Sequence, residues 1–157
     1  MSEAHQASQT SQANETSQPL QVYVVEDSPV VQQMLTEAVE AAGAEVDGCT
    51  GEAKRAIGDV FVLQPDVIFI DIRLASGSGL DVLKALYEHN LAPDAVKVVL
   101  SNFADDEYQR ICRRLGADRF FDKTFETPQA VELINTLAEE KRRGGPPRNS
   151  VAAYSTT

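Results

Sequence analysis

Between residues 22 and 142, five short apolar runs alternate with stretches of helical periodicity, and no other feature restricts the possible folds as tightly. Strands joined through intervening helices run parallel, and a parallel sheet has to be covered on both faces. The alternation predicts an α/β fold, a doubly wound sheet of five parallel strands. The first run, Val22–Val25, leads to Ser28 and Pro29, a capping residue followed by proline in the first helical turn. Val31, Met34, Leu35, Ala38, Val39 and Ala42 then recur at helical spacing until Gly43 stops the helix. A second strand over Glu45–Cys49 precedes a weaker helix around Ile57, Val60, Phe61 and Leu63, interrupted by Gly58 and ended by Gln64 and Pro65.

Val67–Ile70 is apolar on both faces, as in a central parallel strand, and it delivers Asp71. The remaining pattern predicts a helix from Gly79 or Leu80 to Glu88 and a fourth strand over Val96–Leu100, followed directly by Ser101. A helix from Ala104 to Leu115, a fifth strand over Arg119–Phe121 ending at Lys123, and a last helix from Pro128 to Arg142 complete it. Of the neighbours Phe120 and Phe121, one must point inward.

Both ends are poor in apolar residues. Residues 1–19 are dominated by Ser, Gln, Thr, Ala and Glu and cannot bury enough surface to offset the entropy of ordering, which predicts a disordered tail. Residues 143–157 open on Arg143, Gly144, Gly145, Pro146 and Pro147 and are expected to form a second tail. One domain over residues 20–142 is expected, with no DNA-binding output domain after it. The chain has neither the basic start and apolar run of a secretory signal nor the roughly 18 consecutive apolar residues of a membrane span. A cytoplasmic protein without membrane contact is expected. The net charge is −10, and four of the fourteen basic residues lie between Lys141 and Arg148, so the folded part is more acidic than the whole. Nucleic acid is therefore not expected as the main partner. Cys49 and Cys112 are too far apart to suggest a metal cluster or a disulfide framework, and His5 and His89 have no companions for a metal site.

Ligands of an open parallel sheet bind outside the carboxyl ends of the strands. Those ends carry Glu26 and Asp27, Asp71, Ser101 and Lys123. Three carboxylates in one crevice repel unless a cation offsets them, and oxygen-only ligands suit Mg²⁺. Beside such an ion the Asp71 carboxylate becomes a nucleophile toward a phosphoryl group, with Ser101 supplying a hydroxyl and Lys123 a positive charge for the phosphoryl oxygens.

The motifs resemble response-regulator receiver domains from about Gln21 to Lys141. They are Val-Val-Glu26-Asp27-Ser28-Pro29, Ile-Phe-Ile-Asp71-Ile-Arg-Leu with Gly79 eight residues on, Val-Val-Leu-Ser101-Asn102, and Gly116-Ala117-Asp118-Arg119-Phe120-Phe121-Asp122-Lys123. The resemblance implies a flavodoxin-like (βα)5 sheet in the order 2-1-3-4-5. It implies that Asp71 takes a phosphoryl group from a phosphohistidine on a sensor histidine kinase or phosphotransfer protein, and that the backbone carbonyl of Arg73 completes the metal shell. Ser101 would turn toward the phosphoryl group, with Asn102 beside it, and Phe120 would follow. A single-domain regulator of this kind is a signalling protein rather than an enzyme, a monomer or weak homodimer. Its downstream partner would be met through the fourth helix, fifth strand and fifth helix, a face decorated by Asp105, Asp106, Glu107, Tyr108 and Arg110.

Departures from the family pattern are Ala75 and Thr124, where proline is frequent, the larger Asn102, and Phe120 in place of tyrosine. A cis bond before Thr124 would cost about 3 kcal/mol. Taken singly, Asp71 could be a loop aspartate and Glu26-Asp27 a helix-capping pair, but capping does not account for a serine and a lysine at two further strand ends. Two other functions compete: a receiver-like binding module that works unphosphorylated, and an Mg²⁺-dependent phosphohydrolase. The hydrolase would need a second acid/base carboxylate near Asp71, where Arg73 stands.

Overall fold

Residues 18–144 are described by the computed structural model, and strands and helices alternate through them. The strands are β1 (Gln21–Val25), β2 (Glu45–Thr50), β3 (Val67–Ile70), β4 (Val96–Ser101) and β5 (Arg119–Asp122). Between and after them lie α1 (Pro29–Ala41), α2 (Ala53–Leu63), α3 (Gly79–Glu88), α4 (Asp106–Arg114) and α5 (Thr127–Arg142). All the strand pairs are parallel, in the order β2-β1-β3-β4-β5. This is the doubly wound, flavodoxin-like (βα)5 sheet the sequence implies.

Successive residues of a strand face opposite sides of the sheet, and here both sides are packed. Val22, Val24, Phe69, Val98 and Leu100 meet α1 and α5, whereas Tyr23, Val25, Ile68, Ile70 and Val99 meet α2, α3 and α4. Phe120 and Phe121 divide in the same way: Phe121 is buried on the α1/α5 side, and Phe120 packs half-buried on the other. The expectation that one of the two points inward was too narrow, because in a sheet covered on both faces each direction is an inside.

Other boundaries differ for local reasons. Ser101 is the last residue of β4 rather than the first beyond it. Strand β2 reaches Thr50, and its pairing with β1 slips at Asp47, so that Val22 faces Val46 but Tyr23 faces Gly48. Helix α2 runs straight through Gly58, where an added Cβ would meet nothing within 4 Å. Helix α4 starts at Asp106, two residues later than the periodicity suggests, because Asp105 caps it by accepting from the Tyr108 N–H at 2.9 Å. Helix α5 starts one residue before Pro128.

The sequence also gave no sign of one pair that binds β1 to α2: the Tyr23 hydroxyl, fully buried, donates to Asp59 Oδ2 at 2.6 Å. Cys49 is exposed and Cys112 buried. His89 caps the end of α3. The tail expectations for residues 1–17 and 145–157, and His5, lie outside the described residues. No described helix is long and apolar enough to cross a membrane.

The strands are graded across the sheet. Those in the middle, β3 and β4, are buried at every residue, but in the edge strand β5 only Phe121 is buried.

Candidate functional site

The parallel ladder continues one rung past the strand ends, and that rung fixes three of the candidate residues. The Glu26 N–H donates to the Thr50 carbonyl, the Asp71 N–H to that of Val25, and the Lys123 N–H to that of Ser101, each at 2.9 Å. Backbone pairing alone therefore lines up Glu26, Asp71 and Lys123 along the carboxyl edge of the sheet.

Their side chains meet. Lys123 Nζ lies 2.6 Å from Glu26 Oε1 and 3.1 Å from Asp71 Oδ2. Glu26, Asp27 and Asp71 each offer a carboxylate oxygen within 4.8 Å of the others. Glu26 and Asp71 are buried and Asp27 is exposed, so the cluster is walled on the sheet side and open to solvent at Asp27. An acidic group of this kind, oxygen-only with one open side, can hold a hard metal ion.

Burial pushes the Glu26 carboxyl above its ordinary range, and the Asp71 charge adds to this, while the hydrogen bonds from Lys123 and the Ser28 N–H pull the other way. For Lys123, burial works against the charged form, yet the hydrogen bond to Glu26 and the charge of Asp71 outweigh it and hold the ammonium above its ordinary value. The lysine is thus firmly cationic.

Two glycines set the backbone around these groups. A Cβ on Gly79 would stand 2.0 Å from the Asp71 carbonyl oxygen, and one on Gly51 would stand 2.6 Å from the Asp27 Cβ. Gly79 was singled out by the motif it closes. Gly51 was not, since nothing in its local sequence shows that another strand end passes against it. Gln32 was missed for the same reason: its side-chain amide donates to the Glu26 carbonyl from the first turn of α1. The Glu26 side chain is held by the Ser28 N–H at 3.0 Å.

Ser101 is fully buried, and its hydroxyl accepts from the Phe103 N–H at 3.2 Å. Asn102 is exposed, and its Oδ1 accepts from the Thr124 hydroxyl at 3.3 Å. Two of the departures in the sequence, Asn102 and Thr124, therefore touch, bridging the β4–α4 and β5–α5 loops. The Lys123–Thr124 peptide is trans, as are all the described peptides. The turn after it is held by Asp122, which accepts from the Thr124 N–H at 2.8 Å, and by Thr127, whose hydroxyl donates to the Lys123 carbonyl at 2.6 Å.

The Arg73 side chain is exposed, with its guanidinium 4.6 Å from the centre of the Phe103 ring. Phe120 lies one strand beyond Ser101, outside the carboxylate cluster but on the α4 side of the sheet. The structure thus brings together Glu26, Asp27, Asp71 and Lys123, with Ser101 and Asn102 at the end of the neighbouring β4, Arg73 in the loop after β3, and Phe120 in β5 apart from the cluster.

Comparisons with known proteins agree with this fold. The family model described as the response regulator receiver domain matches residues 22–135. The chemotaxis protein CheY of Thermotoga maritima is 26% identical over 118 residues, covering 75% of this chain and 97% of that protein. The chain spans about half the length of the transcriptional regulators that it also matches. Among solved structures, the CheY-like receiver domain protein of Methanospirillum hungatei superposes with a TM-score of 0.69 at 19% identity, over 81% of this chain and 99% of that one. The CheX–CheY–BeF₃–Mg complex of Borrelia burgdorferi gives 0.68 at 19% identity, over 75% and 88%. Receiver domains are in general signalling modules rather than enzymes, and on the match over residues 22–135 this chain belongs to the response regulator receiver domain family.

Proposed function

We propose that residues 20–142 form a receiver module that accepts a phosphoryl group on Asp71 from a phosphohistidine of a sensor histidine kinase or phosphotransfer protein. The observation that carries this is the convergence on one carboxylate: Lys123 lies 3.1 Å from Asp71, and Glu26 and Asp27 each offer an oxygen within 4.8 Å of it. Glu26, Asp27 and Asp71, with the backbone carbonyl of Arg73, would hold Mg²⁺, which when bound neutralises charge on the carboxylates and the incoming phosphoryl oxygens.

Lys123 engages Asp71 through Oδ2, leaving Oδ1 as the attacking oxygen. The new O–P bond forms as the P–N bond of the donor phosphoimidazole breaks, and the electron pair departs on the imidazole nitrogen, which takes up a proton from solvent. The Lys123 ammonium and the hydroxyl of Ser101 then face the three phosphoryl oxygens, with Asn102 at the rim. Displacement of Ser101 is followed by Phe120, and the change reaches a protein partner through the face formed by α4, β5 and α5. The setting is a cytoplasmic two-component relay.

Intact-mass spectrometry after incubation with Mg²⁺ and acetyl phosphate tests the reading. Wild type gains one labile phosphoryl adduct, and Asp71→Asn gains none. An adduct of equal yield on Asp71→Asn, or none on wild type, removes Asp71 as the acceptor, and multiple turnover of unrelated phosphomonoesters would point instead to a hydrolase.

A further inference from the structure

Phe103 is tied at both its backbone and its ring. Its N–H is given to the Ser101 hydroxyl at 3.2 Å, and its ring lies under the Arg73 guanidinium at 4.6 Å. The edge-on Tyr108 ring, with centroids 6.1 Å apart, carries the contact onward into α4. Arg73 stands two residues after Asp71, and its backbone is held. It bridges to Ser78, and the Ile72 carbonyl behind it accepts from the Gly79 N–H at 2.7 Å and the Ser78 hydroxyl at 3.2 Å. Movement at this corner therefore belongs to the Arg73 side chain. A cleft of about 240 Å³ lined by Ile72, Arg73, Leu74, Ser78, Phe103 and Tyr108 leaves the guanidinium and the ring space to part.

We propose that the Arg73–Phe103 stack is a latch on the β4–α4 loop, opened when a phosphoryl dianion on Asp71 draws the guanidinium off the ring. This rests on Asp71 being the phosphoacceptor. A ring face attracts a guanidinium only weakly at an exposed site, whereas a dianionic phosphoryl group offers charge-assisted, two-pronged hydrogen bonds. The dianion wins that competition. Once the ring is freed, the Phe103 backbone no longer holds the Ser101 hydroxyl, and Tyr108 loses its contact with the loop. One cation thereby links the charge state of Asp71 to both Ser101 and α4.

The latch makes the two side chains unequal. Replacing the ring frees the guanidinium for the dianion, and replacing the guanidinium removes both partners at once. With the full chain, and beryllofluoride plus Mg²⁺ as the phosphoryl stand-in, Phe103→Leu should load about two- to fivefold more tightly, the scale of one exposed cation–π contact. In an Arg73→Gln background the same change should bring no gain. Without any phosphoryl stand-in, Arg73→Gln should raise hydrogen exchange at the Phe103 amide by about two- to fivefold. An equal gain from Phe103→Leu in both backgrounds, or unchanged Phe103 exchange in Arg73→Gln, overturns the latch. Failure of wild type to take up beryllofluoride refutes the phosphoacceptor reading instead, and uptake indifferent to both residues refutes the latch alone.

Discussion

Alanine at position 79 and alanine at position 58 should move stability in opposite directions. A Cβ on Gly79 would stand 2.0 Å from the Asp71 carbonyl oxygen, 2.8 Å from the Asp71 carbonyl carbon and 2.9 Å from the Ile72 Cα. All three atoms are backbone, so none can swing aside. Nor can residue 79 withdraw without giving up its bond to the Ile72 carbonyl at 2.7 Å. Overpacking of this kind costs about 1–3 kcal/mol, and a weakened backbone hydrogen bond adds about 1 kcal/mol, so Gly79→Ala should destabilise by about 3 kcal/mol. Gly58 is the control: inside α2, with nothing within 4 Å of its added Cβ, Gly58→Ala should stabilise by about 0.5–1 kcal/mol. In urea, with a slope of about 2 kcal/mol per molar, the midpoints should fall by about 1.5 M and rise by up to about 0.5 M respectively. Because the clash displaces Asp71 itself, Gly79→Ala should also bind Mg²⁺ more weakly than its residual stability alone accounts for. A Gly79→Ala midpoint within about 0.2 M of wild type would refute the close approach, and with it the account of how Asp71 is positioned.

Mg²⁺ should raise the thermal midpoint, by the equivalent of about 2.7 kcal/mol at a hundredfold excess over its dissociation constant. Asp27→Asn, an exposed substitution, should leave the metal-free midpoint in place while removing most of that rise in a thermal-shift assay. Tyr23→Phe should cost about 1.5–3 kcal/mol, the worth of a hydrogen bond to a charged acceptor. Burial, and then the bond to Asp59, hold the Tyr23 proton far above the ordinary phenol value of 10.0. This contribution is therefore complete below pH 10 and is lost as pH rises above it, so alkaline denaturation curves of wild type and variant should converge. Burial raises the Cys112 thiol to about 11, and Cys49 is exposed. Iodoacetamide at neutral pH should therefore label Cys49 in the native protein and Cys112 only after denaturation, as read by peptide mass spectrometry.

What the sequence discloses is whatever is written in local order. The doubly wound class and the placement of Glu26, Asp71 and Lys123 follow from strand ends, each marked where an apolar run meets a polar residue, whereas the sheet order came only with the resemblance to receiver domains. Val67–Ile70 and Asp71 needed nothing more. Contacts between residues distant in sequence stayed hidden, because their partners carry no signal of each other. Tyr23 looks like any strand aromatic until α2 brings Asp59 to its hydroxyl, and Gly51 looks like a turn glycine until Asp27 passes against it. Asn102 and Thr124 each stood out, but their bond to one another required the two loops in place. The late start of α4 is a different case. The apolar period extends to Ala104, and a single hydrogen bond that the Asp105 side chain accepts from the Tyr108 N–H overrules it.

The unequal burial of the strands has a further consequence for the site. Glu26 and Asp71 extend from β1 and β3, interior strands with neighbours on both sides, while Lys123 extends from β5, which among the described residues pairs with β4 alone and is mostly half-exposed. Edge elements open locally at far lower free energy than the interior of a sheet. The carboxylates thus share the lifetime of the whole fold, whereas their cation can be withdrawn and returned by the fraying of one short strand. Hydrogen exchange should find the Lys123 amide among the fast exchangers and the Asp71 amide among the slowest.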